Sequence, residues 1–261
     1  MRVFVTGASG HLGSAIVPQL IAAGHDVTGL ARSDQAATTV TALGATVYRG
    51  DLDDLDGLAK AAADADGVIH LAFDHDRMRT GDWAAAITAD LAVLHAFGDA
   101  LAGTGKALVG TSGTLAVSNL GRPGTEEDAG APGGRTDAEN AVLGFAERGV
   151  RSSVVRVPPI THSTLDRHGF ARTLITIAKE AGVAGYPGTE RTGGPPGTPS
   201  TSVISTAWPS RTRRPAPGGT RPGTRASRCA ISPGASATTW PCRRKASRTA
   251  GCRSTSASSP P

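Results

Sequence analysis

The chain is short of several residue types, and each shortage excludes something. Aromatic residues make up 4% of its 261 residues, and there are two tyrosines, Tyr48 and Tyr186. The three cysteines, Cys229, Cys242 and Cys252, form no CxxC pair and have no histidine partner. That spacing argues against a metal site. An odd count without a secretion signal reads as reduced thiols. No apolar run approaches the roughly 20 residues of a membrane span. The apolar N-terminus is punctuated by Gly7, Gly10 and Gly13 and has no basic stretch before it. It reads as a first strand and helix rather than a targeting segment. The expectation is a cytoplasmic protein with no metal and no membrane partner.

A sharper shortage begins after Tyr186. Residues 187–261 have no Leu, no Phe, no Asp and a single Lys, yet hold 12 of the 17 prolines. They carry a net charge of +11, against −6 for residues 1–186. The whole-chain net charge of +5 describes neither part. The tail lacks both helical and strand periodicity, so it is expected to be largely irregular or disordered. A basic tail can bind nucleic acid. This one has a single lysine, no RGG repeats and no interleaved aromatics, which argues against that partner. The expected division is a folded domain over 1–186 and a low-complexity basic tail over 187–261.

Residues 1–186 alternate between the two periodicities. Apolar runs at "MRVFVT" (1–6), "DVTGLAR" (26–32), "ATVYRG" (45–50), "GVIHLAF" (67–73), "KALVGTS" (106–112) and "RSSVVRV" (151–157) read as strands. Between them, 12–23, 36–43, 54–63, 83–102 and 137–148 have apolar residues at helical spacing. Gly24, Gly103 and Gly149 stand where a helix C-cap glycine belongs. Strict β-α alternation with near-continuous apolar strands predicts an α/β fold: a doubly wound parallel sheet with helices on both faces.

The first strand-to-helix turn reads "VTGASGHLGS", with spacing Gly7-x-x-Gly10-x-x-Gly13. In such a loop one glycine makes the tight turn and one lets backbone approach a pyrophosphate. A third lets the helix pack on the strand. The helix N-terminus offers free N–H groups to the phosphates. A strand before and an amphipathic helix after complete the context for dinucleotide binding. The second strand ends at Arg32 and Ser33 rather than at the acid of a plain NAD site. A guanidinium suits a 2′-phosphate, which favours NADP over NAD; the other reading is a solvated surface arginine. Asp51 and Leu52, after the third strand, are placed to meet the adenine edge. Asp53 and Asp54 read as caps of the next helix.

TGxxGxxG, "GDLDD" after the third strand and "HLA" after the fourth resemble the extended and atypical short-chain dehydrogenase/reductase family, which includes NAD-dependent epimerases and dehydratases. The resemblance covers residues 1–186. It implies a Rossmann domain with Gly7, Ser9, Gly10, His11, Leu12 and Gly13 around the pyrophosphate. It implies Arg32 at the adenosine ribose, Asp51 and Leu52 at adenine, and Leu71 and Ala72 beside the cofactor. Thr111 and Ser112 fall where the family has its active-site Ser. Pro158, with Pro159, falls where the chain passes the nicotinamide and opens the substrate pocket.

The catalytic positions depart from the family. Its members use a Tyr-x-x-x-Lys, in which Lys lowers the Tyr pKa. Here the matching helix start, "GGRTDAENA", has Arg135 and Glu139, and neither tyrosine is followed by Lys four places on. Arginine stays protonated and cannot serve as acid/base. Arg135 and Glu139 read as a solvated i, i+4 ion pair. Ser112 remains a candidate to hydrogen-bond a substrate carbonyl, with a structural strand-end role as the alternative. His70 reads as a packed strand residue. His162, in "RVPPITH", is the candidate non-standard acid/base. The expected function is an NAD(P)-dependent oxidoreductase or epimerase acting on a small carbonyl or hydroxyl compound, with a homodimer as the assembly left open. The alternative is a non-catalytic NADP-binding sensor.

The tail also admits a different origin. GC-rich coding DNA read in a wrong frame gives Ser, Thr, Arg, Pro, Gly and Ala. Shifting by two bases, Trp208 before Pro209 forces alanine, and Ala207 before Trp208 forces Leu, Val or Met. Residues 204–210 then permit "LYRLAV", and 188–196 permit "GDGTNRWPA". Both resemble the family's C-terminal part, which supplies the last strand and a small substrate subdomain. We read residues 187–261 as out-of-frame translation that replaces them. Deleting 187–261 should then leave the melting temperature essentially unchanged. A large drop would show that the tail packs, and the out-of-frame reading would fail.

Overall fold

The computed structural model describes residues 1–161, 163–166 and 169–184, and the backbone of 227–230. His162 and most of the tail lie outside the described residues, so the expectations placed on them have no structural counterpart here.

Seven parallel strands form one sheet. In chain order they are β1 (Arg2–Thr6), β2 (Asp26–Ala31), β3 (Thr46–Arg49), β4 (Gly67–His70), β5 (Ala107–Gly113), β6 (Arg151–Val157) and β7 (Ser227–Ala230). Their order across the sheet is β3-β2-β1-β4-β5-β6-β7. The chain winds outward one way from β1 through β2 to β3, then returns to β4 and winds the other way. The direction reverses between β1 and β4, where a doubly wound sheet opens its ligand crevice. The helices are α1 (His11–Ala22), α2 (Asp34–Ala42), α3 (Leu55–Asp64), α4 (His75–Arg79), α5 (Trp83–Leu101), α6 (Arg135–Gly144) and α7 (Phe170–Ala181).

Alternation along each strand sends neighbouring side chains to opposite faces. Val3, Val5 and Ile69 join Ile16, Val17, Leu20 and Val40 in the core under α1 and α2. Phe4, Val68, Leu108 and Val154 join Leu58, Val93, Phe97 and Val142 in the core under α3, α5 and α6. Both faces are covered, which is why the strands read as nearly unbroken apolar runs. Contrary to the sequence reading that no apolar run approaches a membrane span, α5 is long and apolar enough, by length and composition, to cross one. In the fold it packs against α3 and α6 and buries Val93, Leu94, Phe97 and Leu101.

The doubly wound parallel sheet is as expected, and most element ends fall within two residues of the sequence reading. Three elements were not anticipated. α4 is a single polar turn and a half, capped by Asp74, which accepts from Asp76 N and Arg77 N. α7 leaves Phe170, Leu174, Ile175 and Ile177 exposed. β7 is the one tail segment among the described residues. Four tail residues pair with β6, from Ser153↔Ser227 to Arg156↔Ala230. The edge of β6 would otherwise present unpaired N–H and C=O groups, a template for any extended segment.

Phe97 is fully buried and meets the rings of Phe4 and His70 edge-on, at 6.2 and 5.7 Å. Phe97→Ala should cost about 3–5 kcal/mol in urea unfolding, because the surrounding strands cannot collapse into the space.

Candidate cofactor and substrate site

The glycine loop connects β1 to α1 at the crevice. Gly7 has φ +69°, a conformation that favours glycine, and a Cβ on it would lie 2.8 Å from the Ala72 amide nitrogen. A Cβ on Gly13 would lie 2.2 Å from the Gly7 carbonyl oxygen. The first glycine lets β1 and the end of β4 close together, and the third lets α1 sit on the loop. The loop is tied by Gly10 N donating to Gly7 O at 3.0 Å and Ser14 N to Gly10 O at 2.8 Å. Gly10 caps α1 without a side-chain hydrogen bond, so the first-turn amides are left for a ligand. His11 Nε2 lies 2.8 Å from Ser163 Oγ, which draws the chain after β6 onto the loop.

Beneath the loop, Thr6 Oγ1 accepts from Leu71 N at 3.2 Å and Ala72 N at 3.3 Å, and lies 2.7 Å from His70 Nδ1. His70 Nε2 lies 3.0 Å from Asp90 Oδ1. With both amides donating to the Thr6 oxygen, its O–H is free to donate to Nδ1. The network is then satisfied by the histidine tautomer whose Nε2–H donates to Asp90. Thr111 Oγ1 donates to the His70 carbonyl at 2.8 Å. Thr6, His70 and Asp90 are all buried, so His70 is a structural residue that fixes the β4 end.

At the adenosine end, Ser33 caps α2, accepting from Ala36 N at 3.2 Å. Arg32 is exposed and paired: its Nη2 lies 2.8 Å from Asp76 Oδ2 on α4. The hydrogen bond from Arg32, and then its charge, hold the Asp76 carboxyl below the usual carboxylate range. Asp51 Oδ1 accepts from Asp53 N at 2.8 Å in a local turn, and Leu52 packs against the core. Asp54 caps α3 as expected. Asp53 does not: it faces Arg77 of α4 at 3.4 Å. α4 thus bridges the ends of β2 and β3 through ion pairs.

At the substrate end, Ser112 is buried on β5, opposite Arg156 in the pairing with β6. Pro158 follows β6 directly, partly buried. The expected Arg135–Glu139 ion pair is not formed, because each residue has a better partner. Arg135 places its guanidinium Cζ 3.9 Å from the centre of the Phe73 ring. Glu139 is buried and takes two hydrogen bonds from Arg156, Nε to Oε2 at 3.2 Å and Nη2 to Oε1 at 2.5 Å. Arg156 also donates to the carbonyls of Thr125 (3.2 Å) and Asp128 (2.6 Å), fastening the loop between β5 and α6. Burial draws the Arg135 guanidinium below its ordinary pKa, and the Asp90 charge opposes this. His75 is also lowered, first by burial and then by the Arg135 charge.

Sequence reasoning missed Phe73, Arg156 and the burial of Glu139. One signal was available. Ser152, Val154 and Arg156 share a face of β6, and an arginine on a buried face requires an acid.

A parallel sheet reversing at β1/β4, with a glycine loop and an uncapped helix N-terminus at the switch, is a Rossmann-type nucleotide-binding domain. Residues 3–133 match the model of the NAD dependent epimerase/dehydratase family, and the chain belongs to that family. An uncharacterized protein of Schizosaccharomyces pombe is 46% identical over 190 residues, 72% of this chain and 63% of that protein. An uncharacterized protein of Saccharomyces cerevisiae is 40% identical over 195 residues, with the same two coverages. The chain thus spans about 63% of the length of these relatives. The UDP-glucose 4-epimerase of Thermus thermophilus, solved in complex with NAD, has the same fold. It superposes with a TM-score of 0.55 at 22% identity, covering 70% of this chain and 64% of that one.

Gly13→Ala should push the loop away from α1. The expected result is about 1–3 kcal/mol of lost stability in urea unfolding. In calorimetry, binding of the dinucleotide, tested as both NADH and NADPH, should weaken at least about tenfold, about 1.4 kcal/mol.

Proposed function

We propose that the protein is an NADP-dependent oxidoreductase acting on a small carbonyl or hydroxyl compound. The observation that carries the reading is the glycine loop closed on Leu71 and Ala72, with Arg32 at the end of β2 in place of an acid. The first-turn amides of α1 and the loop of Gly7, Ser9, Gly10, His11, Leu12 and Gly13 would hold the pyrophosphate. Asp51 and Leu52 would meet adenine. Arg32 would exchange Asp76 for the 2′-phosphate, a strong oxyanion partner for a guanidinium. Leu71, Ala72, Thr111 and Pro158 would line the nicotinamide end.

The cofactor, when bound, supplies or accepts hydride. The chain's own residues orient the substrate and handle its proton. Ser112 would donate to the substrate oxygen, and His162, outside the described residues, would be the acid/base. Arg135 cannot take the tyrosine's proton-transfer role, because a guanidinium keeps its proton. Glu139 cannot take the lysine's, because it is an acid committed to Arg156.

The same substitutions favour a second reading, an NADP-binding sensor without turnover. A screen of NADPH oxidation over aldehydes, ketones and keto acids separates the two. Turnover that falls about 10²-fold or more in Ser112→Ala or His162→Ala supports the enzyme. NADPH binding without turnover across the panel supports the sensor. In either case Arg32→Ala should weaken NADPH at least about tenfold, from the loss of about 1.5–3 kcal/mol of charge-assisted hydrogen bonding. NADH should be unaffected, and equal loss for both cofactors would rule out Arg32 as the 2′-phosphate contact.

A further inference from the structure

Arg135 is the one feature of the site that neither the fold nor the cofactor reading uses. It opens α6 and is partly buried. One face of its guanidinium lies on the Phe73 ring. Among the described residues nothing accepts a hydrogen bond from it or pairs with it within 4.0 Å. A partly desolvated cation without a protein acceptor is one that an arriving anion would stabilise.

The carboxylates around it are engaged elsewhere. Asp90 is the acid whose charge it feels, and Asp90 accepts from His70. Asp137, in the first turn of α6, turns back to accept from Gly133 N at 2.8 Å. His75 is disfavoured as a cation by burial and by Arg135 itself.

The position of Arg135 relative to the cofactor loop follows from short links. Phe73, under the guanidinium, comes directly after Ala72, and Ala72 N is the atom that a Gly7 Cβ would strike. The guanidinium is therefore held beside the end of β4 that closes the glycine loop. The contact with Phe73 holds the guanidinium at this place, and a guanidinium is the side chain that suits a planar two-oxygen anion.

We infer that Arg135 is the anchor for a carboxylate on the substrate, so that the compound taken by this site is a carbonyl or hydroxy acid rather than a neutral aldehyde or ketone. This rests on the oxidoreductase reading for the nature of the reacting group, but not for the anion contact. The contact places no demand on Arg135 as a proton donor: the guanidinium keeps its proton and contributes charge and orientation.

The test uses the full chain and two isosteric probes, oxamate, which has a carboxylate, and oxamide, which is neutral. Each is titrated by calorimetry into the protein alone and into the protein with NADPH. Oxamate should bind at least about tenfold more tightly than oxamide. Arg135→Gln should erase the preference, and Arg135→Lys should restore part of it, since lysine keeps the charge without the fork. Unfolding of each variant in urea is followed in parallel, and Arg135→Lys provides a charged control if Arg135→Gln is destabilised. Equal binding of the two probes, no binding of oxamate, or an unchanged preference in Arg135→Gln overturns the inference. A tenfold loss of NADPH itself in Arg135→Gln also overturns it, by assigning the guanidinium to the cofactor. Failure of NADPH to bind wild type would sink the oxidoreductase reading while leaving the oxamate result for the protein alone to judge Arg135.

Discussion

The backbone of Leu71 and Ala72 passes so close to Gly7 that a single added carbon would lie 2.8 Å from an amide nitrogen. This approach is the constraint on which the rest of the site is built. It makes β1 and β4 neighbours at their C-terminal ends and sets the start of α1. It also brings Phe73, and with it Arg135, beside the loop. A fold of this kind places ligands outside the carboxyl ends of its strands, where direction reverses. Here that end is fixed by sterics at Gly7 and by the Thr6 hydroxyl, which holds the two amides following His70.

A second constraint lies on the other side of the crevice. Glu139 and Arg156 form a buried ion pair between α6 and β6. Such a pair is weak evidence of net stability, since desolvation offsets much of its attraction. Its effect is geometric. One guanidinium joins a helix, a strand and the carbonyls of Thr125 and Asp128. Arg122 closes the same loop on itself by gripping the Asp128 carboxylate, whose pKa it holds well below the usual range. The pair thus fixes the first turns of α6, from which Arg135 reaches Phe73. Breaking one partner would leave a buried charge, at a cost of about 3–5 kcal/mol, more than most single contacts in the domain.

The sheet and its flanking helices were legible because helices cover both faces of the sheet and each long helix has one apolar stripe. The glycine loop was legible because sterics demand those residues at those places. α4 was not: "HDRMR" has no apolar stripe, and the helix exists through the Asp74 cap and the ion pairs of Arg32 and Arg77. α7 was readable from Phe170, Leu174 and Ile177 at helical spacing, followed by Gly182 at φ +69°. The Arg135–Glu139 reading failed because helical spacing states only that two residues can meet. It does not count the partners offered by other elements, and those partners, Phe73 and Arg156, are distant in sequence.

The hydrogen bonds under the loop have a direction. They run from the amides of Leu71 and Ala72 into the Thr6 oxygen, from its hydroxyl into His70, and from His70 into the Asp90 carboxylate. Each link polarises the one before it, as aligned dipoles do. The negative charge on α5 therefore makes the Thr6 oxygen a stronger acceptor, although it never touches the backbone that oxygen holds. The crevice wall is in this sense held from below by a charge three bonds away, and Thr6, His70 and Asp90 act as a single polarised strut.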